Sequence, residues 1–171
     1  MSYLLDTCVL SEARKPSAHA GLRGWLRQVA EERLFISTLT LGEIRKGIAR
    51  LNDEERAWAL QIWLEQDLVA RFRGRILPVD EEVAIEWGRL SGFGEAQGRP
   101  VPVVDALLAA TAICHHLTLV TRNEQDFAPF PVTVFNPWND DPTTHRPRSI
   151  TLEDKPMGSR ARQRGTHVQH P

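Results

Sequence analysis

Four positions carrying side-chain oxygens recur where an apolar run ends or an apolar helix begins: Asp6, Glu43, Asp105 and the pair Asn123/Asp126. Asp6 closes Tyr3-Leu4-Leu5. Glu43 lies in Thr40-Leu41-Gly42-Glu43-Ile44-Arg45, soon after Leu34-Phe35-Ile36-Ser37. Asp105 interrupts Val103-Val104-Asp105-Ala106-Leu107-Leu108-Ala109-Ala110, and Asn123 and Asp126 follow Leu117-Thr118-Leu119-Val120-Thr121. In an open α/β sheet the carboxyl ends of parallel strands share one edge, so these groups can meet in one crevice. Clustered carboxylates repel one another unless a hard cation such as Mg²⁺ or Mn²⁺ binds between them. The pattern points to metal-dependent chemistry on phosphate.

Taken singly, each residue also has a structural reading. Asp6 before Thr7 can cap a first helix, and Asn123 can cap a short helix containing Asp126. Glu43 can be a solvated side chain or a partner of a helix dipole. Asp105 is harder to set aside, because an unpaired carboxylate in an Ala/Leu-rich helix is costly to bury. The combination is more specific than any member.

The elements that must position these residues alternate. Apolar spacing and helix-starting acids predict strand 2–6, helices near 8–14 and 18–31, strand 34–37, helices 40–51 and 53–72, and strand 75–79. Helices 81–97 and 103–116, strand 117–121, a helical turn at 124–127 and strand 132–136 follow. Pro100 and Pro102 mark an extended approach to the helix carrying Asp105. Strands alternating with helices predict a mainly parallel central sheet flanked by helices on both faces, an α/β three-layer sandwich. The domain is expected to span 1–138. From 139 to 171 the chain has no Phe, Tyr or Trp, carries Pro142, Pro147, Pro156 and Pro171, and is expected to be a disordered tail.

With 42% hydrophobic and 25% charged residues in 171, the chain reads as one soluble globular domain with a core of useful size. No apolar run approaches the roughly 20 residues that span a bilayer, and Met1-Ser2-Tyr3-Leu4-Leu5-Asp6 meets an acid too soon for a signal peptide. Cys8 and Cys114, each in an apolar setting and without a Cys/His ligand spacing, suit a reducing cytoplasm and argue against a disulfide or zinc site. Residues 1–138 hold 15 Lys/Arg against 18 Asp/Glu, so any attraction for a polyanion must be local. Arg14/Lys15, Arg45/Lys46 with Arg50, and Arg122 lie near the acids in sequence, although solvated helix faces explain any one of them equally well.

These segments resemble a known family. Leu4-Leu5-Asp6-Thr7-Cys8-Val9-Leu10-Ser11-Glu12, Ser37-Thr38-Leu39-Thr40-Leu41-Gly42-Glu43-Ile44-Arg45-Lys46-Gly47-Ile48 and Pro102-Val103-Val104-Asp105-Ala106-Leu107-Leu108-Ala109-Ala110-Thr111-Ala112 resemble successive motifs of PIN-domain ribonucleases. The likeness is to the VapC-type toxins of bacterial toxin–antitoxin pairs, in the FitB-like subgroup. Leu119-Val120-Thr121-Arg122-Asn123-Glu124-Gln125-Asp126-Phe127 and Val134-Phe135-Asn136-Pro137-Trp138 resemble the family's ending, so the likeness covers 2–138 in order. It implies a PIN-like fold and a Mg²⁺-dependent endoribonuclease, with Mn²⁺ as a substitute. Asp6 and Asp105 would bind the metal and Glu43 would complete the acidic core. Members differ at the fourth position, which leaves Asn123 as ligand or water-orienting amide and Asp126 as the alternative. The resemblance further implies RNA as substrate, a homodimer, and a small cognate antitoxin seated between early helices. Trp25, Leu26, Trp58, Ile62 and Trp63 supply the apolar surface for such contacts, with the helical layer's own core as the competing use.

Two rivals use similar residues. A receiver domain or haloacid-dehalogenase-type phosphatase also places an acid after its first strand. Both need a lysine near a later strand end, and the only lysines here are Lys15, Lys46 and Lys155. The phosphatase pattern also wants a second acid where this chain has Cys8. A non-catalytic partner-binding module of the same shape has no use for Asp6, Glu43 and Asp105 together. His115 and His116, about 15 Å along the helix from Asp105, read as helix-end residues and not as a catalytic base.

Overall fold

The computed structural model describes residues 1–139. Beyond Asn139, the tail expected to be disordered lies outside the described residues. Five strands form one all-parallel sheet: β1 (Tyr3–Leu5), β2 (Leu34–Ser37), β3 (Ile76–Leu77), β4 (Thr118–Val120) and β5 (Val134–Phe135), in the order β3-β2-β1-β4-β5. Parallel neighbours need crossover connections, and helices supply most of them. They are α1 (Thr7–Ala13), α2 (Ala20–Gln28), α3 (Thr38–Ile48), α4 (Glu54–Ile62), α5 (Val69–Arg71), α6 (Glu81–Ala96), α7 (Val103–Cys114) and α8 (Glu124–Phe127). Among the described residues no helix is long and apolar enough to cross a membrane.

The sheet separates two apolar layers. On one face, Leu5, Val9, Leu22, Trp25, Ile36, Ile44, Ile48, Leu64, Leu68 and Phe72 pack together, drawing on α1 to α3 and the segment after α4. On the other, Leu4, Val83, Leu90, Ala106, Leu108, Ala109 and Ala112 pack with Phe127, Phe130 and Val132. Leu4 and Leu5 fall in opposite layers because successive strand side chains point to opposite faces. The small residues of α7 let that helix lie close to the sheet, which seats the first turn carrying Asp105 near the strand ends.

The helix expected over 18–31 ends at Gln28, the strands expected over 75–79 and 132–136 are shorter, and one element differs in kind. The helix foreseen over 53–72 is interrupted by a π-helical segment, Trp63–Leu68, between α4 and α5. Nothing in its sequence breaks a helix, so the pattern reads as continuous; the wider turn rotates the register. As a result Leu64 and Leu68 face the core, while Trp58 is 68% exposed. Trp25 is the opposite case. It is buried, edge-on to Tyr3 at 5.2 Å and against Phe135 at 5.3 Å, so it is core and not a partner-facing residue. Leu26 and Trp63 pack half-buried against the same layer, Trp63 beneath the Arg14 guanidinium at 5.2 Å.

Glycine is required by geometry at several positions, two of them near the elements that matter here. Gly98 adopts φ +67° in the turn between α6 and α7. At Gly21 a Cβ would meet the Pro137 carbonyl oxygen at 2.5 Å, so the bare backbone lets the segment after β5 cross α2.

Candidate active site

The strand order fixes where a site can form. The chain winds outward from β1 through β2 to β3, then returns to the other side of β1 for β4 and β5. Connections on the two sides of β1 therefore diverge, leaving a crevice at the carboxyl ends of β1 and β4. Asp6 follows β1 and Thr121 follows β4, and the two meet there. The Thr121 hydroxyl donates to Asp6 Oδ2 at 2.6 Å, and the Asp6 backbone N–H donates to the Val120 carbonyl at 3.0 Å.

Asp6 serves two purposes at once. It caps α1, its Oδ1 accepting from the Thr7 N–H at 2.6 Å, and its Oδ2 accepts from Thr121 and, at 3.2 Å, from the Cys8 thiol. The same sulfur accepts from the Arg122 N–H at 3.4 Å. Cys8 was expected in a merely apolar setting; it instead ties the ends of β1 and β4 together. Burial, with the neighbouring Asp6 charge, pushes its thiol up to about 11, so it stays protonated and able to donate at neutral pH. Thr121 Oγ1 also accepts from the Asn123 N–H at 3.0 Å, which sets the backbone of the loop after β4. Glu43, on α3, is reached through Thr7, whose hydroxyl donates to Glu43 Oε2 at 2.8 Å.

Asp105 enters from α7, in its first turn, and the helix has no side-chain cap. Its carboxyl is raised from 3.8 to about 6, chiefly by burial and then by the negative charges of Asp126, Asp6 and Glu43. Those four carboxylates are therefore within electrostatic reach of one another. Among the described residues none of them forms an ion pair with Lys or Arg. They line one cleft of about 360 Å³ together with Thr7, Cys8, Ser11, Lys46, Gly47, Arg50, Asn123 and Phe127.

The structure thus brings every sequence-predicted acid to one cleft and puts both Asn123 and Asp126 on its wall. Asn123 stands at the cap position of α8, but its side chain makes no capping bond. His115 ends α7 and His116 follows with φ +52°; neither lines the cleft, as their distance along the helix implied. Sequence reasoning assigned no role to Thr7, Thr121 and Asn136. Asn136 is buried, donates through Nδ2 to Glu124 Oε1 at 2.7 Å, and accepts through Oδ1 from the Trp138 N–H at 3.0 Å. The available signal for Thr121 was a hydroxyl immediately after β4, matched by Thr7 two residues past the end of β1.

Among the described residues no group of three or more His, Cys, Asp and Glu side chains stands close enough together to hold an ion on its own. The donors lining the cleft are mainly oxygens, without imidazole. That set suits a hard cation that keeps waters and completes its shell with substrate oxygens.

The PIN-domain family profile matches residues 3–131. The chain is 37% identical over 137 residues to the toxin FitB of Neisseria gonorrhoeae, covering 80% of this chain and 99% of that one. It is 34% identical over 135 residues to the plasmid stability protein StbB of Pseudomonas syringae, covering 79% and 97%. With the VapC ribonuclease Y4jK of Sinorhizobium fredii the identity is 29%, with 79% and 96% covered. Among solved structures, FitAB bound to an IR36 DNA fragment superposes with a TM-score of 0.74 at 34% identity, covering 81% of this chain and 97% of that one. This chain belongs to the PIN-domain family, and its relatives include toxins and ribonucleases of the FitB and VapC type.

Proposed function

We propose that this chain is the ribonuclease toxin of a toxin–antitoxin pair, a metal-dependent endoribonuclease that cuts RNA phosphodiester bonds with water and acts in the cytoplasm. The observation that carries the reading is the cleft itself: Asp6, Glu43, Asp105 and Asp126 at the ends of β1 and β4, mutually repelling and without a cationic partner among the described residues. Such an arrangement is unfavourable on its own and becomes favourable around a divalent ion. Kinship with FitB and with VapC ribonucleases supports the substrate and the toxin role.

In this reading Asp6 and Asp105 hold Mg²⁺ or Mn²⁺, which supplies charge neutralisation at the phosphate and acidifies water. Thr121 and the Cys8 thiol keep the Asp6 carboxylate aimed at the cleft by donating to the same oxygen. Glu43, steadied by Thr7, orients the attacking water or accepts its proton. The Asn123 amide orients water or ligates, but it has no basic site to take a proton. Asp126 reinforces the negative field that holds the cation.

Total RNA incubated with the purified chain tests this. Cleavage is expected with Mg²⁺ or Mn²⁺, none in excess EDTA, and none for Asp6→Ala; undiminished cutting in chelator overturns the metal assignment. Co-expression with the small neighbouring reading frame should abolish toxicity. Toxicity that persists beside a stably expressed neighbour would leave the nuclease and remove the toxin–antitoxin pairing.

A further inference from the structure

The cleft's acids all repel an RNA strand, yet its wall also carries two cations, Lys46 and Arg50. Lys46 and Arg50 line it together with Glu43, all three from α3 and the turn that follows it. Glu43 and Lys46 are one turn apart on α3, about 4.5 Å along the axis. Arg50 sits in a tight turn, its N–H donating to the Gly47 carbonyl at 3.3 Å. Arg45, on the same helix, does not line the cleft. Complementing the helix dipole is the ordinary use for bases near a helix C-terminus, but that use is indifferent to which face they occupy. Here Lys46, one turn along α3 from Glu43, and Arg50, in the turn after the helix, line the same cleft as Glu43.

Three further observations favour a ligand. Neither Lys46 nor Arg50 forms an ion pair among the described residues, although carboxylates line the same cleft. Both are exposed, so their charges remain available to a polyanion. Gly47 lies between them on the cleft wall, and a Cβ there would meet nothing within 4 Å, which leaves room for a sugar–phosphate backbone to approach the helix. Because the domain is slightly acidic overall, such a strand must be captured locally and led past the acids.

We propose that Lys46 and Arg50 form a phosphate-binding subsite for single-stranded RNA, holding the phosphates beside the one that is cut. This rests on the ribonuclease reading above. Arg50 offers a planar fork for a phosphate and Lys46 a point charge. The acidic end of the groove acts on one phosphate while the basic end holds its neighbours, which favours internal cleavage of a strand over attack on an isolated phosphodiester.

The test compares wild type with Lys46→Gln/Arg50→Gln on a single-stranded oligoribonucleotide cut by the wild type. Both residues are exposed, so folding is expected to survive, as a thermal melt will verify. KM should rise about tenfold or more at physiological salt, kcat should stay within about twofold, and the slope of log(kcat/KM) against log[salt] should fall by about 1.4 for two lost contacts on a single strand. Replacing the phosphates flanking the cut by neutral methylphosphonates should weaken the wild type similarly and add little further loss to the variant. A variant with unchanged KM and salt slope overturns the subsite, as does loss confined to kcat or full additivity with the neutral linkages. If only inhibition by the antitoxin weakens, the two bases serve the protein partner and the proposal fails. A wild type that cuts no RNA removes the ribonuclease reading, and this subsite with it.

Discussion

Replacing Asp105 by Asn separates catalysis from stability in opposite directions. The substitution keeps shape and removes a charge whose burial, reinforced by the negative charges of Asp126, Asp6 and Glu43, raises the Asp105 carboxyl from 3.8 to about 6. Because the folded-state value lies above the unfolded one, ionising Asp105 opposes folding. The penalty is absent below about pH 4, accrues as pH rises to about 6, and is complete above that. About two pH units correspond to at most about 3 kcal/mol, and Asp105 is partly exposed, so solvent screening brings the expected gain to about 1–2 kcal/mol. For a domain of this size that is a rise in melting temperature of about 3–8 °C for Asp105→Asn, in EDTA at pH 7. At pH 4 the two proteins should melt together. Adding Mg²⁺ should stabilise the wild type more than the variant, since a ligand that binds only the folded state stabilises it by mass action. RNA cleavage should be lost. Differential scanning calorimetry from pH 4 to 8, with and without Mg²⁺, checks each limb. A variant that melts no higher than wild type at pH 7, or one shifted equally at pH 4, would refute the electrostatic reasoning; near-wild-type turnover would return Asp105 to a structural role.

Thr121→Val removes a hydroxyl that donates to Asp6 and accepts from the Asn123 N–H, and should destabilise by about 1–3 kcal/mol by leaving buried partners unmade; Thr121→Ser should restore both stability and activity, and a Val variant as stable and active as wild type would defeat the assignment. Asn123→Ala should lower turnover more than Asp126→Ala, since the Asn123 side chain makes no cap bond that would otherwise occupy it; the reverse ranking makes Asp126 the fourth site residue. The chain should be at least a dimer by size-exclusion chromatography with light scattering, Trp58 being a large aromatic at 68% exposure, and a clean monomer at micromolar concentration would count against it.

Much of this protein is legible in its sequence. Leu34–Ser37 appears as a strand at the expected bounds, and the helices carrying Glu43 and Asp105 start within two residues of expectation, because apolar period and starting residues are local properties. Asp6, Glu43, Asp105, Asn123 and Asp126 stand out by type and by position at element ends. The sequence alone therefore determined an alternating α/β chain with acids after strands and in the helices that follow them. Which strands lie side by side was decided only in three dimensions. Placing β4 against β1 brings Thr121 to Asp6 across 115 residues of chain, and no local pattern reports that contact. The same holds for the Cys8 thiol, an apolar residue by its neighbours in sequence and a donor to Asp6 in the fold. It holds also for Trp25, whose burial depends on Tyr3 and Phe135 arriving from distant strands, and for Leu64 and Leu68, turned inward by a π-helical segment. Periodicity sets what each segment becomes; long-range packing and the pairing of buried polar atoms decide which neighbour each side chain meets.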